Sequence, residues 1–535
     1  MSRRWMKIAV FATVALAFVL RVWHLDVRSI WFDEAFSWTL SSFGPLEIIR
    51  RTGSDCHPPF YYLILWGWIK LFGDSLWAMR LLSAVCGTAT VWVAWRVGKE
   101  ATEWTSSPVE NVNSELDVET IQTGDLVGLM FAMFVASSAF QIHWSGEIRM
   151  YAMLSLVYLL SVWFGLLALR NHLTSTKPLI GFVVSSALMM YTHNFGLFSF
   201  VAVCATLTAM AWWRERKDAH FRASRMTGRF ILASGIAGLL YVPWLPYLFH
   251  QRSQVAANYW VSRFSWTQLA LAWDGLVFPE NSYGSWQATR GYVALAVTLI
   301  VLLTLLIRPR GVDFLSLMLT AIPATLAVGI SIVSTPIISY RFFVLIHLSA
   351  LLAVARDMQK WLEPVAALAM AVVLFANGLW IHHQYLAQLD PGSRSGTREA
   401  MAWLDSVRTP DENVYVLHSC LYFSMKYHAA DRQHVVLCTP QGNVVHYTGA
   451  PVLVENERRD LDALTDTAGR AWVVDCTGFT AGYSRPFLPG GLKWQEEKRF
   501  SCPHSFEGQV VVSEYRVEHE DASQATKNKK NRGER

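Results

Sequence analysis

The chain has 535 residues, of which 53% are hydrophobic and only 16% are charged, and it contains 24 Trp and 29 Phe. A soluble enzyme of this length carries fewer apolar residues and more charge, so the composition indicates a membrane protein. The formal net charge of +5 comes from Lys and Arg at the ends of apolar runs rather than on one face. This distribution argues against nucleic acid as a partner.

Apolar runs of roughly 17 to 22 residues, the length of a helix that crosses a bilayer, recur through the first two thirds of the chain. No small-residue cleavage site follows the first run, so we interpret it as a retained span rather than a signal peptide. We expect about eleven spans. They are Lys7–Trp23, Trp77–Val97, Leu126–Trp144, Ala152–Leu169, Leu179–Tyr191, Phe195–Trp213, Phe230–Phe249, Tyr292–Ile307, Phe314–Ser334, Phe342–Ala355 and Val365–His382.

Positive charge in alternate short loops sets the expected orientation, because Lys and Arg resist translocation. Basic residues precede the first span and recur in every second loop, which predicts a cytoplasmic N-terminus. An odd number of spans then places the C-terminus outside. Phe60–Phe72 is aromatic and apolar but short for a crossing, so we expect it to lie in the membrane interface.

The composition changes after His382, where short β-rich runs alternate with helical patterns. We predict a membrane domain at 1–382, an extracytoplasmic α/β domain at 383–520 and a disordered basic tail at 521–535. The α/β domain contains four cysteines. They form either two disulfides, such as Cys420 with Cys438 and Cys476 with Cys502, or remain free thiols.

Asp33 and Glu34 stand among aromatic residues in IWFDEAFSW, in the first loop on the outer side. Aromatic neighbours bury their surroundings, and a carboxylate in a partly dry pocket has a pKa raised towards the value of a general base. We therefore interpret the pair as catalytic. The alternative is that Asp33 caps the following helix and Glu34 offsets its dipole.

Four further outer segments supply candidate binding residues. They are GSDCHPPFYY with His57, SGEIRMYAM with Arg149 and Tyr151, YTHNFG with His193, and ISYRFF with Tyr340 and Arg341. A guanidinium offers a fixed fork of donors that suits phosphate, so both arginines are predicted phosphate ligands. Arg149 could instead pair with Glu147 or anchor in lipid headgroups, and His57 could be an ordinary loop histidine.

Three motifs, WFDEAFSW, HPPFYYLIL and EIRMYAM, together resemble glycosyltransferase family 39, which includes the protein O-mannosyltransferases and the lipid A aminoarabinose transferase. The resemblance extends from about Arg3 to Ala355. It implies the C-type glycosyltransferase (GT-C) fold for this part of the chain. Together with the apolar runs, the expected fold class is an α-helical polytopic membrane protein with about eleven transmembrane helices and interfacial helices. The small C-terminal extracytoplasmic α/β domain, predicted from composition, departs from the best-known relatives.

The resemblance also implies an activity: transfer of a hexose or pentose from a polyprenyl-phosphate-linked donor to an acceptor hydroxyl on a lipid, glycan or protein. Asp33 matches the catalytic carboxylate of the family, with Glu34 beside it. In some relatives a divalent metal is bound, and here His193 could hold one with Glu34 or Asp33. The expected location is the plasma (inner) membrane. The alternative is a non-catalytic polytopic protein for envelope glycan assembly or transport.

Overall fold

The computed structural model describes residues 3–106, 114–170, 175–257, 261, 263–278, 286–307, 309, 311–388, 396–440, 444–464, 469–477, 488, 492–504 and 508–519. The chain forms two compact units. The membrane unit comprises Met1–Leu25 and Pro45–Gln388, and the second unit comprises Asp26–Gly44 and Leu389–Arg535. The segment 26–44, predicted within the membrane domain, therefore clusters with the C-terminal residues. The predicted basic tail at 521–535 lies outside the described residues.

Twenty α-helices are present in the described part of the chain. In chain order they are α1 (Arg3–Val22), α2 (Phe32–Ser42), α3 (Pro45–Gly53), α4 (Phe60–Phe72), α5 (Leu76–Ser106), α6 (Ser114–Ser137), α7 (Ala139–Ser145), α8 (Tyr151–Arg170), α9 (Lys177–Thr192), α10 (Gly196–Lys217), α11 (Ala219–Ala223), α12 (Met226–Tyr241), α13 (Leu245–Ala257), α14 (Trp266–Val277), α15 (Gln287–Leu305), α16 (Gly311–Val333), α17 (Val344–Trp361), α18 (Pro364–Gln388), α19 (Gly396–Val407) and α20 (Ser419–His428).

The protein is a multi-pass membrane protein. Among the described residues, nine helical segments are long and apolar enough to cross a bilayer, and the bent pair α6–α7 gives a tenth. The shorter apolar helix α9 coincides with another predicted span, so all eleven predicted runs are helical. The segment Phe60–Phe72, predicted to lie in the membrane interface, is the helix α4, with the predicted bounds.

Helices α5 and α6 approach closely because two glycines face each other. A Cβ on Gly98 would lie 2.8 Å from the Gly128 Cα, and a Cβ on Gly128 would lie 2.5 Å from the Trp95 carbonyl oxygen. Small residues at a helix crossing allow backbones within a bilayer to make extensive van der Waals contact. The second of these contacts leaves no room for a side chain at Gly128.

A break within the third predicted span turns the chain towards the candidate site. Helices α6 and α7 meet at an angle of 62°. Ser138 separates them and caps α7, because its side chain accepts the Gln141 N–H at 3.3 Å. A helix that ends inside a membrane leaves carbonyl oxygens without intrahelical donors, and no water is present in the hydrocarbon to replace them.

Arg21 of α1 supplies those donors. Its Nη2 donates to the Val135 carbonyl at 3.0 Å, its Nη1 to the Ala136 carbonyl at 3.3 Å, and its Nε to the Ser145 hydroxyl at 3.2 Å. The side chain is only 2% exposed. One guanidinium therefore binds the end of α6 and the end of α7, and it stabilises the bend between them.

The second unit contains a six-stranded mixed sheet, which agrees with the predicted α/β domain. Its strands are β1 (Val414–Val416), β2 (Val435–Cys438), β3 (Arg458–Arg459), β4 (Gly469–Cys476), β5 (Leu492–His504) and β6 (Gly508–His519), and their spatial order is β3-β2-β1-β4-β6-β5. The first four strands are parallel, whereas β6 runs antiparallel to both β4 and β5. Helix α19 packs on one face, where Trp403 contacts Trp472 of β4 and Phe500 of β5.

The paired disulfides offered as one alternative for the C-terminal cysteines are absent, and all seven cysteines are free thiols. Cys476 and Cys502 both align with Val510 of β6, from opposite sides. Two strand spacings separate them by about 9 to 10 Å, beyond the span of a disulfide. Cys438 belongs to the apolar cluster around Tyr415 and Val473, and its thiol donates to the Asp460 carbonyl at 3.3 Å.

We expect Arg21→Met to destabilise the membrane unit by several kcal/mol, because it leaves buried carbonyls without donors at about 1 to 3 kcal/mol each. Thermal unfolding in detergent measures this loss. Arg4→Met is the matched control, since Arg4 is exposed on the same helix. Equal unfolding temperatures for the two variants would show that the bend does not depend on Arg21.

Candidate functional site

Four turns between helices of the membrane unit carry the predicted binding residues. His57 precedes Pro58 and Pro59 at the start of α4, and Arg149 lies between α7 and α8. His193 ends α9 in an extended conformation with φ −159°. Tyr340 and Arg341 form a 3₁₀ turn immediately before α17. Each turn interrupts helical hydrogen bonding, and it places polar side chains between two spans, where a continuous apolar helix would have none.

The structure brings these turns together around His193. The His193 ring centroid lies 5.3 Å from that of His57, 5.8 Å from that of Tyr151 and 5.6 Å from that of Phe342. The charges of Arg149 and Arg341 also act on the His193 ring. Residues predicted from four separate segments, His57, Arg149, Tyr151, His193 and Arg341, thus occupy one cluster.

His193 is held as a neutral imidazole. Burial lowers its pKa well below 6.5, and the charges of His57, Arg149 and Arg341 lower it further. Its Nδ1 accepts the Phe195 N–H at 3.0 Å, so the ring proton resides on Nε2. The residue is 5% exposed, and Nε2 has no hydrogen-bond partner among the described residues. The cluster therefore contains a buried N–H donor available to a bound molecule.

The loop that carries His57 is fixed by residues that the sequence analysis did not select. Asp55, 3% exposed, lies 3.2 Å from His57 Nδ1 through its Oδ2. Burial raises the Asp55 pKa, but the hydrogen bond and charge of His57 and the charge of Arg149 outweigh it, so the net pKa is lowered. Asn194 donates to the Cys56 carbonyl at 2.9 Å, and Gln251 donates to the Thr52 carbonyl at 2.8 Å. Asp55 and His57 are therefore an electrostatic pair beside Arg149.

Aromatic rings form one wall of the cluster. Tyr151, 1% exposed, packs on Trp144 with ring centroids 4.3 Å apart. Trp144 also contacts the ring of Tyr340 at 6.1 Å, and Arg149 is itself only 4% exposed. Aromatic walls exclude water and strengthen electrostatic interactions between the charged groups and a ligand.

Asp33 and Glu34 lie in the second unit, in the first turn of α2. Glu34 is fully buried, whereas Asp33 is partly exposed. The N-cap position of α2 is Trp31, so Asp33 and Glu34 follow it within the first turn, where acidic side chains offset the helix dipole. Burial raises the pKa of the Cys420 thiol, and the Asp33 carboxylate raises this pKa further, which places Asp33 near the first turn of α20.

Glu34 and His193, the pair considered for a divalent metal, belong to different units. Of the His193 nitrogens, Nδ1 is already occupied by the Phe195 N–H, which leaves Nε2. Within the described residues, Asp55, Cys56 and His57 form a group whose ligand atoms lie within 4.8 Å of one another. Carboxylate, thiolate and imidazole are ligands that suit zinc. This loop is thus a second location that fits a divalent ion.

Comparisons with known proteins identify the fold. A sequence model for dolichyl-phosphate-mannose-protein mannosyltransferase matches residues 56–108. Two solved structures of ArnT from Cupriavidus metallidurans, one bound to undecaprenyl phosphate and one in the apo state, have TM-scores of 0.54 and 0.55 to this chain. The chain has the GT-C fold of ArnT. The resemblance drawn from the three sequence motifs is confirmed at this level.

The similarity to ArnT extends over almost the whole chain but is distant in sequence. Each ArnT structure is 14% identical; they cover 96% and 95% of this chain, and 98% and 97% of their own. The alignment therefore includes the C-terminal unit as well as the GT-C membrane helices. A search of curated protein sequences finds no match.

We expect the stability of the protein to fall as pH drops below about 6.5. In the variant His193→Gln we expect this fall to be smaller. The unfolded chain protonates at this histidine near pH 6.5, whereas the folded chain resists protonation, so acid favours unfolding by up to about 1.4 kcal/mol per pH unit. Unfolding temperatures of wild type and variant at pH 7.5, 6.5 and 5.5 measure the difference. Parallel pH profiles would contradict a neutral, buried His193.

Proposed function

We propose that this protein is a membrane glycosyltransferase that moves a sugar from a polyprenyl-phosphate-linked donor to an acceptor hydroxyl at the extracytoplasmic side of the plasma (inner) membrane. The GT-C fold supports a membrane-embedded transferase, and the proposal assigns donor binding to the cluster around His193. The N-terminus lies in the cytoplasm and the second unit lies outside. The donor sugar is a hexose or pentose, and the acceptor is a lipid, glycan or protein.

The observation that carries the proposal is the buried donor at His193 Nε2 beside two arginine charges. A buried N–H without a partner is costly unless a ligand accepts from it. The positive charge of Arg149 and Arg341 favours an anionic acceptor, and the guanidinium geometry suits a phosphate. Undecaprenyl phosphate bound in one ArnT structure supports a polyprenyl phosphate as the molecule that supplies this anion.

The reaction requires one bond to form as another breaks. The acceptor oxygen bonds to the anomeric carbon of the sugar, the bond from that carbon to the donor phosphate oxygen breaks, and its electron pair leaves with polyprenyl phosphate. Asp33 takes the acceptor proton as general base. Arg149, Arg341 and His193 stabilise the charge that develops on the departing phosphate. A single displacement inverts the anomeric configuration.

The remaining cluster residues have supporting roles in the proposal. His57, paired with Asp55, contributes a second imidazole next to the phosphate. The rings of Tyr151 and Tyr340 line the wall of the donor site. Glu34 is buried beside Asp33 in α2 and supports the proton transfer from there.

We expect Asp33→Asn to lower transfer at least about 100-fold, since an amide cannot accept the proton and general bases contribute about 10²- to 10⁴-fold. The assay follows labelled sugar from polyprenyl-phosphate donors into membrane acceptors at matched expression of folded protein. Equal activity of the two proteins would show that Asp33 is structural. Absence of transfer by wild type with every donor would favour a non-catalytic role in glycan assembly.

We expect Arg149→Gln to weaken polyprenyl phosphate binding about 10- to 100-fold, because one charge-assisted hydrogen bond contributes about 1.5 to 3 kcal/mol. The ligand-induced rise in unfolding temperature measures this affinity without requiring turnover. Arg252→Gln is the control, because Arg252 is exposed and bonded only weakly to Ser334 at 3.5 Å. Unchanged affinity in Arg149→Gln would place the phosphate elsewhere.

A further inference from the structure

The segment 26–44, here called the strap, lies in sequence between α1 and α3 of the membrane unit but folds with the C-terminal unit. It contains α2 and therefore both predicted catalytic carboxylates. Nine of the eleven α2 residues are buried, so this helix is an internal element rather than a surface loop. The contacts that fix its position within the unit come from α19 and α20.

Ser29 of the strap is the centre of a buried hydrogen-bond group. Its Oγ lies 2.9 Å from Thr397 Oγ1 and 3.0 Å from His428 Nε2, and it accepts the Arg398 N–H at 3.2 Å. The Arg398 N–H belongs to the first turn of α19, where helical N–H groups lack intrahelical acceptors. A hydroxyl from a segment about 370 residues away in sequence thus satisfies the start of this helix.

Backbone carbonyls of the strap are held as well. Arg398 Nη2 donates to the Asp26 carbonyl at 2.8 Å and to the Arg28 carbonyl at 3.3 Å. Thr397 donates to the Ile30 carbonyl at 3.4 Å. These bonds fix the chain immediately before α2, and therefore the direction in which that helix starts.

The helix α2 itself packs on one side of α20. Phe32 contacts Phe423 at 6.3 Å, and Trp38 contacts Tyr427 at 5.1 Å in an edge-to-face arrangement. Phe423 and Tyr427 are four residues apart and lie on the same helical face. Arg432 stacks over the Trp38 ring at 4.8 Å. The two ends of α2 are therefore both anchored on α20.

We infer that α19 and α20 act as a clamp that positions Asp33 for catalysis, with Thr397, Arg398 and His428 as positioning residues. The inference rests on the proposed function, and it assigns the C-terminal unit a part in the chemistry. A general base must stay within hydrogen-bond reach of the proton that it takes, and a displacement of about 1 Å can reduce the rate about 100-fold. The clamp restricts that displacement without touching the substrate.

The test compares His428→Ala with His428→Gln. Alanine removes the bond to Ser29, whereas the glutamine amide can replace it. We expect kcat for sugar transfer to fall at least about 10-fold in the alanine variant and to return within about threefold of wild type in the glutamine variant. The KM for the polyprenyl-phosphate donor stays constant, because the proposed phosphate ligands belong to the membrane unit. His434→Ala is the control, since His434 pairs with Asp431 at 2.6 Å in the same unit.

Amide hydrogen exchange gives a readout that does not depend on activity. We expect residues 29–42 to exchange faster in His428→Ala and at the wild-type rate in His428→Gln and His434→Ala. Unchanged kcat and exchange in His428→Ala would overturn the clamp, as would a loss of kcat that glutamine does not restore. If wild type transfers no sugar, the proposed function fails, and the exchange rates still decide whether the clamp holds the strap.

A crosslink tests whether the strap stays docked through turnover. The Ser29 and Thr397 hydroxyls are 2.9 Å apart, so the double variant Ser29→Cys, Thr397→Cys can form a disulfide with little movement. We expect the oxidised protein to retain at least about half of the kcat of its own reduced form, because a docked strap is already the competent state. Loss of activity on oxidation, restored by reductant, would show that the strap must leave the clamp and would overturn the inference.

Discussion

The hydrogen bonds from Arg21 to the end of α6 are the interaction on which the membrane-unit site depends. A bilayer favours continuous helices because each free carbonyl oxygen there lacks a water partner. Arg21 donates to Val135 and Ala136 and so allows the span to end early and bend by 62°. The turn with Arg149 follows directly after the bent segment. The bend therefore sets the direction in which the chain enters that turn.

Much of the membrane unit could be predicted because its dominant constraint is local in sequence. The hydrocarbon thickness fixes the length of each apolar run, and all eleven runs are helical in the structure. The polar turns could be selected for the same reason: a residue such as Arg149, His193 or Arg341 at a span end is costly unless it has a function. We expected these turns to meet because their side chains suit one phosphate-linked donor. The structure brings them together around His193.

The remaining features depend on pairings that no periodic pattern reveals. Arg21 lies inside a predicted span, and an arginine in apolar surroundings is costly enough to indicate a role. The sequence does not reveal its acceptors, because they are more than 110 residues away. The support of the His57 loop by Gln251 of α13 is likewise distant in sequence, since its side chain donates to the His57 carbonyl at 3.5 Å. The strap was assigned to the membrane domain because it lies in the first outer loop, well before the change in composition after His382. Its partners Thr397 and His428 follow a change in composition that suggested a separate fold.

The two proposed chemical tasks reside in different compact units of one chain. Phosphate binding needs a dry, positively charged pocket, which broken membrane helices provide through side chains such as Arg149. Proton transfer needs a carboxylate held to within a fraction of an ångström, and a mixed sheet with packed helices provides that rigidity more readily than a loop does. It follows that changes in the clamp should alter the rate of the chemical step, whereas changes around His193 should alter donor affinity, so the two contributions can be separated by kinetics.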